Sequence, residues 1–279
     1  MSRNLAAMAL APGLLLALIG CNGNKGGNGS DDPSGGGSTR TVPARPEFLL
    51  YESNSRKVIE DALGNRKTVR VEQTVKVCRN ALRFDDSSGK TSSIIRLDRK
   101  VVWRLDHVKR TYMQGTFAEH AAQVEGIKRL LATQLGDAKL SAAQRRSIEI
   151  AIGRRQPRVN EKVDPEPVRL LGHKCRHVSY FEDGNLRVEE WVADDVKLPC
   201  DLTELRRLTG DFSSDLLARL KARPGLALKL RVLGRLPTSP RLEERTVTRV
   251  ALPAKLAPGL FELPPNYTRS RAPARRRTR

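Results

Sequence analysis

Residues 68–77 of the chain, TVRVEQTVKV, alternate between apolar and polar side chains. Side chains two positions apart in a strand point to the same face, so the four valines would share one face. A strand with one apolar and one polar face is typical of an antiparallel sheet that buries only one side. The phase of the pattern changes at Leu82 and Phe84, which we interpret as a bulge or a bend in the strand.

Several later segments carry the same two-residue period and are predicted to be strands. They are residues 92–97, 101–105, 111–113, 168–181, 185–193, 226–232 and 246–252, while 48–51 is predicted to be a strand or the start of a helix. Asp183-Gly184 favours a two-residue hairpin turn, because that turn needs positive φ angles. In the register that this turn implies, Tyr180 faces Arg187. Further along the same pair of strands, Arg176 faces Trp191.

Three helices are predicted between these strands. A 3.6-residue period of apolar side chains predicts the first helix over residues 117–135, and Ser141 can cap the second. Asp201 and Glu204 have the spacing of a capping box at the start of the third. Strands, two helices, a hairpin, a helix and more strands predict an α+β domain in which helices lie on one face of an antiparallel sheet.

The N-terminal segment has the features of an export signal, since Arg3 precedes an apolar run from Leu5 to Ile19. The run is too short for a transmembrane helix of about 20 residues. Its end, Leu18-Ile19-Gly20-Cys21, resembles the lipobox of bacterial lipoproteins. In that family the cysteine receives a diacylglyceryl group, the signal is cut before it and the new N-terminus is acylated. The resemblance implies a signal peptide at 1–20 and a lipid anchor on Cys21; the alternative is an ordinary secretory signal with an incidental cysteine.

The rest of the chain divides into three parts by composition. Residues 21–45 are rich in Gly, Ser and Asn, which predicts a flexible tether. Residues 46–268 carry the patterned segments and form the globular domain, and residues 269–279 are a basic tail with six arginines. Asn22 is not the Asp that signals retention in the inner membrane of some bacteria. We therefore expect the lipid-anchored chain at the outer membrane of a bacterial cell envelope, facing the periplasm.

The formal net charge of +20 favours an anionic partner. Basic chains commonly bind nucleic acid, but an exported chain meets phospholipid headgroups, lipopolysaccharide phosphates and acidic polymers instead. We therefore expect no nucleic-acid partner. Docking of the basic surface and tail to anionic envelope polymers is one candidate function, although an arginine-rich proteome would produce the same charge without a partner.

Two stretches resemble the LolA/LolB superfamily of outer-membrane lipoprotein carriers. IIRLDRKVVWRLD at 94–106, followed by Arg110-Thr111-Tyr112, looks like a hairpin of these proteins, and LFELPPNY at 260–267 is similar to their Phe-x-x-Pro-x-x-Tyr ending. Over residues 67–267 the resemblance implies a strongly curved antiparallel sheet, an incomplete barrel with helices packed on its concave face. It also implies carriage of a lipid or an acylated lipoprotein in the hollow, although many relatives have no assigned function.

The apolar face of the sheet is the expected lipid site, because ligand pockets are mainly apolar. The same positions could instead be core beneath the helices. The candidate lining residues are Val69, Val71, Val75, Val77, Trp103, Leu228 and Leu230.

His173, Cys175 and His177 are spaced two positions apart on one predicted strand. Histidine and cysteine ligate zinc or copper, so these residues are candidate metal ligands. Same-face neighbours on a strand lie about 7 Å apart and no fourth ligand is evident, which favours ordinary positions on a strand face. No nucleophile has a placed base, so we expect neither an enzyme nor a cofactor.

Beyond Cys21 the chain has three cysteines, Cys78, Cys175 and Cys200, which allow at most one internal disulfide. An oxidising compartment permits such a bond. The sequence does not select the pair, but Cys175 with Cys200 closes the shorter loop.

Replacing Cys21 with Ala removes the thiol that would carry the lipid. We expect cells labelled with an alkyne analogue of palmitate to lose the label from this chain, because no acceptor sulfur remains. Asn22→Ala is the matched control and should keep the label. Equal labelling of the Cys21→Ala chain would contradict the lipobox interpretation.

Overall fold

The computed structural model describes residues 46–61, 64–223, 225–237 and 239–270. The predicted signal peptide at 1–20, Cys21 with its tether to residue 45, and residues 271–279 of the basic tail lie outside the described residues.

The described part of the chain is α+β, with thirteen strands in one strongly curved sheet that does not close into a barrel. The strands are β1 Phe48–Glu60, β2 Arg66–Cys78, β3 Ala81–Asp86, β4 Thr91–Arg96, β5 Val101–Asp106, β6 Thr111–Thr116, β7 Val159–Val163, β8 Val168–Leu170, β9 His173–Glu182, β10 Asn185–Ala193, β11 Leu226–Val232, β12 Leu242–Ala251 and β13 Thr268–Arg269. Their order is β13-β6-β5-β4-β3-β2-β1-β12-β11-β10-β9-β7, and β8 also pairs with β9. Neighbours are antiparallel except β13, which lies parallel to β6. The predicted fold class is confirmed.

Four helices of the described chain accompany this sheet. They are α1 Phe117–Gln134, α2 Ala142–Ala151, α3 Thr203–Leu208 and α4 Ser214–Ala222. Helices α3 and α4 bury their leucines against the concave face, while α1 and α2 pack on each other through a separate apolar cluster. Within the described residues, no helix combines the length and the hydropathy needed to cross a membrane.

Strand β1 joins the two halves of the sheet. It pairs with β2 along its whole length, from Phe48 opposite Cys78 to Glu60 opposite Arg66. On its other side it pairs with β12, which precedes the C-terminal segment. The register of this pair shifts between Glu52 and Ser53. A register shift in an antiparallel pair increases the local twist. The shift therefore lies where the meander β1–β6 meets the second half of the sheet.

The predicted strand over 68–77 is confirmed as β2, but the phase change after it has another cause. Arg79 and Asn80 form a turn, and the chain reverses into β3. Leu82 then pairs with Val77 on the same face. The prediction of a bulge or a bend in one strand was therefore wrong: the two-residue turn pairs odd-numbered positions of β2 with even-numbered positions of β3, and this alone changes the phase.

The predicted hairpin at Asp183-Gly184 is present, with positive φ angles at both residues. Its predicted side-chain pairs are wrong, because the register shifts near the start of β10. Tyr180 lies opposite Val188 instead of Arg187. Arg176 lies opposite Val192 instead of Trp191.

The N-termini of α1, α2 and α3 show which of the capping predictions are correct. Ser141 caps α2 through a capping box with Gln144, as expected, and Thr116 caps α1 in the same way with Glu119. The predicted capping box at Asp201 is absent: its carboxylate accepts a hydrogen bond from the backbone two residues on, and α3 begins without a side-chain cap.

The convex face of β4–β6 is covered by the C-terminal segment. Trp103 is 6% exposed and clusters with Ile94 and Leu105. Three residues from the chain after β12 pack on this cluster: Phe261, Leu263 and Tyr267. The stretch LFELPPNY therefore holds the C-terminal segment on the sheet through buried apolar contacts.

Replacing Trp103 with Ala removes the centre of this cluster. We expect a loss of about 3–5 kcal/mol in the free energy of unfolding, because a large cavity remains under the C-terminal segment. Urea denaturation measures the loss. Val108→Ala, at a side chain that is 72% exposed, is the control and should change the stability by less than about 0.5 kcal/mol. Equal stabilities of the two variants would contradict this role of Trp103.

Candidate functional site

The sheet places six of the seven candidate lining residues on its concave face. Residues that lie directly opposite in neighbouring strands share a face. Leu230 pairs with Arg245, Arg245 pairs with Ser55, and Ser55 pairs with Val71. This row connects β11 to β2 across the concave face. The other candidates on this face are Val69, Val75, Val77 and Leu228.

Trp103 differs from the prediction, because it points to the convex face. Its neighbour Val102 pairs with Ile95 and belongs to the concave cluster, whereas Trp103 pairs with Ile94. Adjacent residues of a strand point to opposite faces, so Trp103 cannot line the same hollow as Val75.

Most of the concave residues are core beneath the helices. Val75, Val77 and Leu228 are at most 1% exposed and belong to one apolar cluster that also contains Leu205 of α3. Leu230 belongs to a second cluster, which buries three leucines of α4. The remaining two candidates, Val69 and Val71, are half-buried. The helices therefore fill the middle of the hollow.

Charged groups are also buried in this middle part. Glu190, Arg206 and Arg245 are each at most 2% exposed. Tyr180 donates a hydrogen bond of 3.0 Å to the Glu190 carboxylate. Burial raises the pKa of Glu190, and the positive charge of Arg206 opposes that rise. Because a buried charge is costly without a partner, Arg206 and Tyr180 stabilise the buried Glu190 carboxyl, and the centre is not purely apolar.

An open cleft remains at the end of the concave face, where β5 and β6 meet the start of α1. We call it the mouth cleft; its volume is about 620 Å³, within the usual range for ligand pockets. Gly115 lets the His120 imidazole pack closely against β6, since a Cβ at this position would lie 3.3 Å from His120 Nε2. The lining residues are Val102, Arg104, Met113, Gln114, Gly115, Glu119, His120, Gln123, Arg269 and Ser270.

The mouth cleft combines apolar walls with cationic groups. Met113 is 37% exposed beside the buried Val102. Arg104 is half-buried, and burial lowers its pKa. Burial and the charge of Arg104 also lower the pKa of His120, which keeps the imidazole neutral at pH 7. The lining holds two guanidinium groups and one carboxylate, so this balance of charge favours a molecule that has both an apolar part and a negative charge.

The three candidate metal ligands do not converge on one point. His173 Nδ1 lies 2.8 Å from Asp195, and His177 Nδ1 lies 2.6 Å from Asp164. Cys175 is fully buried in the concave cluster. Among the described residues, no group of three or more His, Cys, Asp or Glu side chains is placed to hold a metal ion.

The stack on His177 was not predicted. Trp191 lies opposite His177, with ring centroids 4.2 Å apart, and the Lys229 ammonium lies 4.5 Å from the indole. The register predicted from the Asp183-Gly184 turn had placed Arg176, not His177, opposite this indole.

Cys78, Cys175 and Cys200 are thiols, so the one internal disulfide that the sequence permitted, for which Cys175 and Cys200 close the shorter loop, is absent. Both residues lie in the same buried cluster, and Cys78 is half-buried. Burial raises the pKa of Cys175, which keeps its sulfur protonated and unreactive.

A hydrogen-bonded chain of polar residues was missed by the sequence analysis. Ser92 Oγ lies 2.6 Å from both Asp85 Oδ1 and His107 Nε2, and His107 Nδ1 lies 2.5 Å from the Tyr267 hydroxyl. The Ser92 to His107 distance suits a nucleophile and its base. Ser92, however, is 4% exposed, and it lines neither the mouth cleft nor a larger cleft beside α2. The polar chain therefore links the C-terminal segment, through the residue that follows β5, to β4 and β3.

Comparison with known proteins does not place this chain in a family. No protein-family model matches it, and no curated protein sequence does. Among solved structures, an uncharacterized conserved protein from Thermus thermophilus has a TM-score of 0.39 at 10% identity, over 81% of this chain and 91% of that one. PNGF-II has a TM-score of 0.33 at 13% identity, over 80% of this chain and 31% of that one. MucB has a TM-score of 0.31 at 10% identity, over 80% of this chain and 59% of that one. Likenesses at these scores assign no function to the chain.

Replacing Asp85 with Asn tests the polar chain through its dependence on pH. Burial acts to raise the pKa of the Asp85 carboxyl, but hydrogen bonds from Lys76, Ser92 and Arg83 outweigh it and hold the pKa below its ordinary value. A carboxyl whose pKa is lower in the folded state than in the unfolded state stabilises the fold at pH values above its unfolded-state pKa of about 3.9. This contribution is lost as the pH falls through the folded-state pKa.

Urea denaturation should therefore show Asp85→Asn to be less stable than the wild type by about 1–3 kcal/mol at pH 7. The difference in the free energy of unfolding between the wild type and the variant should decrease steadily below about pH 4. Glu166→Gln, at an exposed carboxylate, is the control and should follow the wild type at every pH. A difference in stability that stays constant with pH would contradict the claim that the ionised carboxylate of Asp85 stabilises the fold.

Proposed function

We propose that this protein is an envelope lipoprotein that binds a lipid or a fatty acyl chain at the mouth cleft, without catalysing a reaction. One observation carries the proposal: the concave face has an open cleft of about 620 Å³ that presents Val102 and Met113 beside Arg104. The site differs from the expected one, because helices α3 and α4 occupy the centre of the hollow.

The lining chemistry supports an amphiphilic anion. Apolar contact at Met113 and Val102 would hold a chain by removing its methylene groups from water, at about 0.8 kcal/mol per buried CH₂. Arg104 and Arg269 would lie near a carboxylate or phosphate headgroup. A guanidinium suits both groups, because it donates two parallel hydrogen bonds to such an anion.

The predicted lipid anchor fits this role. A tether from residue 21 to residue 45 would hold the domain close to a membrane, where lipids are the most abundant amphiphiles. Anchoring at Cys21, location at the outer membrane and the ligand are three separate proposals, and the anchor and the ligand are tested separately.

Docking to anionic envelope polymers through the basic tail stays the alternative. Arg269 lines the mouth cleft, whereas the other five arginines of the tail lie outside the described residues. Deleting residues 271–279 separates the two functions. Loss of salt-sensitive binding to anionic vesicles would favour the alternative, and retained fatty-acid binding would favour the mouth cleft.

Replacing Met113 with Glu places a negative charge in the mouth cleft. We expect the affinity for the fluorescent fatty acid cis-parinaric acid to fall about tenfold or more, because a carboxylate at the apolar wall must lose its water when the chain binds. Native mass spectrometry of the purified protein should likewise show less co-purifying lipid.

Val108→Glu is the matched control, since Val108 is exposed and does not line the cleft. It introduces the same charge and should leave binding unchanged. Equal affinities of the two variants, or no binding by the wild type, would rule out the mouth cleft as the lipid site.

A further inference from the structure

A second cleft lies away from the mouth cleft, between α2, the β9–β10 turn and the β11–β12 connection, and we call it the arginine cleft. Its volume is about 1050 Å³. Six arginines and three carboxylates line it: Arg145, Arg146, Arg155, Arg187, Arg235 and Arg241, with Glu149, Glu182 and Asp183. Such an excess of positive charge in a concave surface attracts anions.

The floor of the arginine cleft holds two buried guanidinium groups. The Arg187 and Arg235 side chains are 10% and 8% exposed, and both pair with the single carboxylate of Glu182. Arg187 also donates to the Asp211 carbonyl oxygen, while its Nε has no aligned hydrogen-bond partner among the described residues. The buried carboxyl of Asp211 also acts on the Arg187 charge, so two carboxyl groups face the two buried cations of the floor, and the excess of positive charge comes from the rim.

Burial of these guanidinium groups is reflected in their pKa values. Burial lowers the pKa of Arg187 and lowers that of Arg235 to about 10. The lowered values mean that the cationic forms are poorly solvated where they lie. A bound anion would replace the missing solvation and is therefore favoured by the same desolvation.

The rim of the arginine cleft adds cations that the described chain does not neutralise. Arg146 and Arg155 are exposed, and their side chains form neither an ion pair nor a hydrogen bond with any described residue. Arg145 donates to two backbone carbonyl oxygens at the end of α1, which carry no full charge. Arg241 is the rim arginine with a carboxylate partner, Glu60.

The shape and the donors of the cleft indicate a phosphate group. The planar guanidinium donates two parallel hydrogen bonds to phosphate oxygens, and the arginines that line the cleft outnumber its carboxylates. The volume exceeds that of one inorganic phosphate ion, so the cleft has room for an organic moiety or a second phosphate. The first turns of α2 also line the cleft, and the positive end of the helix dipole adds to the attraction.

We propose that the arginine cleft is a binding site for the phosphate groups of a phosphate ester or a diphosphate. Arg187 and Arg235 form the floor that contacts the anion, and Arg146 and Arg155 close over it from the rim. The site is separate from the mouth cleft and does not depend on lipid binding there.

Isothermal titration of the full chain with pyrophosphate tests the proposal, in buffer with chloride at about 0.15 M as the competing anion. The test variant is Arg146→Gln/Arg155→Gln, which removes two rim charges that pair with no described residue. The matched control is Arg70→Gln/Arg79→Gln, which removes two exposed charges outside the cleft.

We expect the rim variant to bind pyrophosphate at least about tenfold more weakly than the wild type, and the control to bind like the wild type. Met113→Glu should also bind like the wild type, which separates this site from the lipid site. Equal weakening by the rim and control variants would mean that net charge alone attracts the anion, and it would overturn the proposal. No measurable binding of pyrophosphate by the wild type would overturn it as well.

A phosphate-bearing lipid is a second source of the same group. Binding of the wild type and of the rim variant to vesicles of phosphatidylcholine with phosphatidic acid tests this source. A rim variant that loses pyrophosphate but keeps vesicle binding assigns the cleft to a soluble phosphate compound. A loss of both assigns it to phosphate on either carrier.

Discussion

The pairing of β1 with both β2 and β12 is the constraint on which the rest of the structure depends. β1 is the strand that connects the meander β1–β6 to the strands β9–β12, so one curved sheet forms from two distant parts of the chain. The curvature creates a concave side, and α3 and α4 bury their leucines there. Without the β1–β12 pair the two halves would each expose an apolar face to water, at about 25 cal/mol for every Å².

The concave side combines apolar clusters with buried charge, and that combination decides where a ligand can bind. Glu190 and Arg245 of the sheet and Arg206 of α3 are buried at the centre, where the attraction between Glu190 and Arg206 offsets part of the cost of burial. A fatty chain gains little from such a surface. The open space instead lies at two ends of the domain: the mouth cleft beside α1 has apolar walls, and the arginine cleft beside α2 has cationic ones.

Local patterns predicted most of the strands and the Ser141 cap of α2, because both depend on residues that are close together in the sequence. The valines of β2 share one face because that face packs against the core, and the strand was predicted from them. Asp183-Gly184 predicted the hairpin, yet the register shift early in β10 moved Trp191 from Arg176 to His177. Such a shift depends on twist and on packing against β11, which a pattern of residue types does not encode.

The sequence by itself determined the fold class, the shared face of the β2 valines and the stretches that form most elements, because hydrophobic periodicity follows from which face is buried. Only the tertiary structure decided that Trp103 faces away from the hollow, and that six arginines surround one cleft. It also decided that Ser92 meets His107 and Tyr267. The physical reason is that periodicity reports burial along one element, whereas a site is made where separate elements meet, and their meeting depends on strand register and sheet curvature.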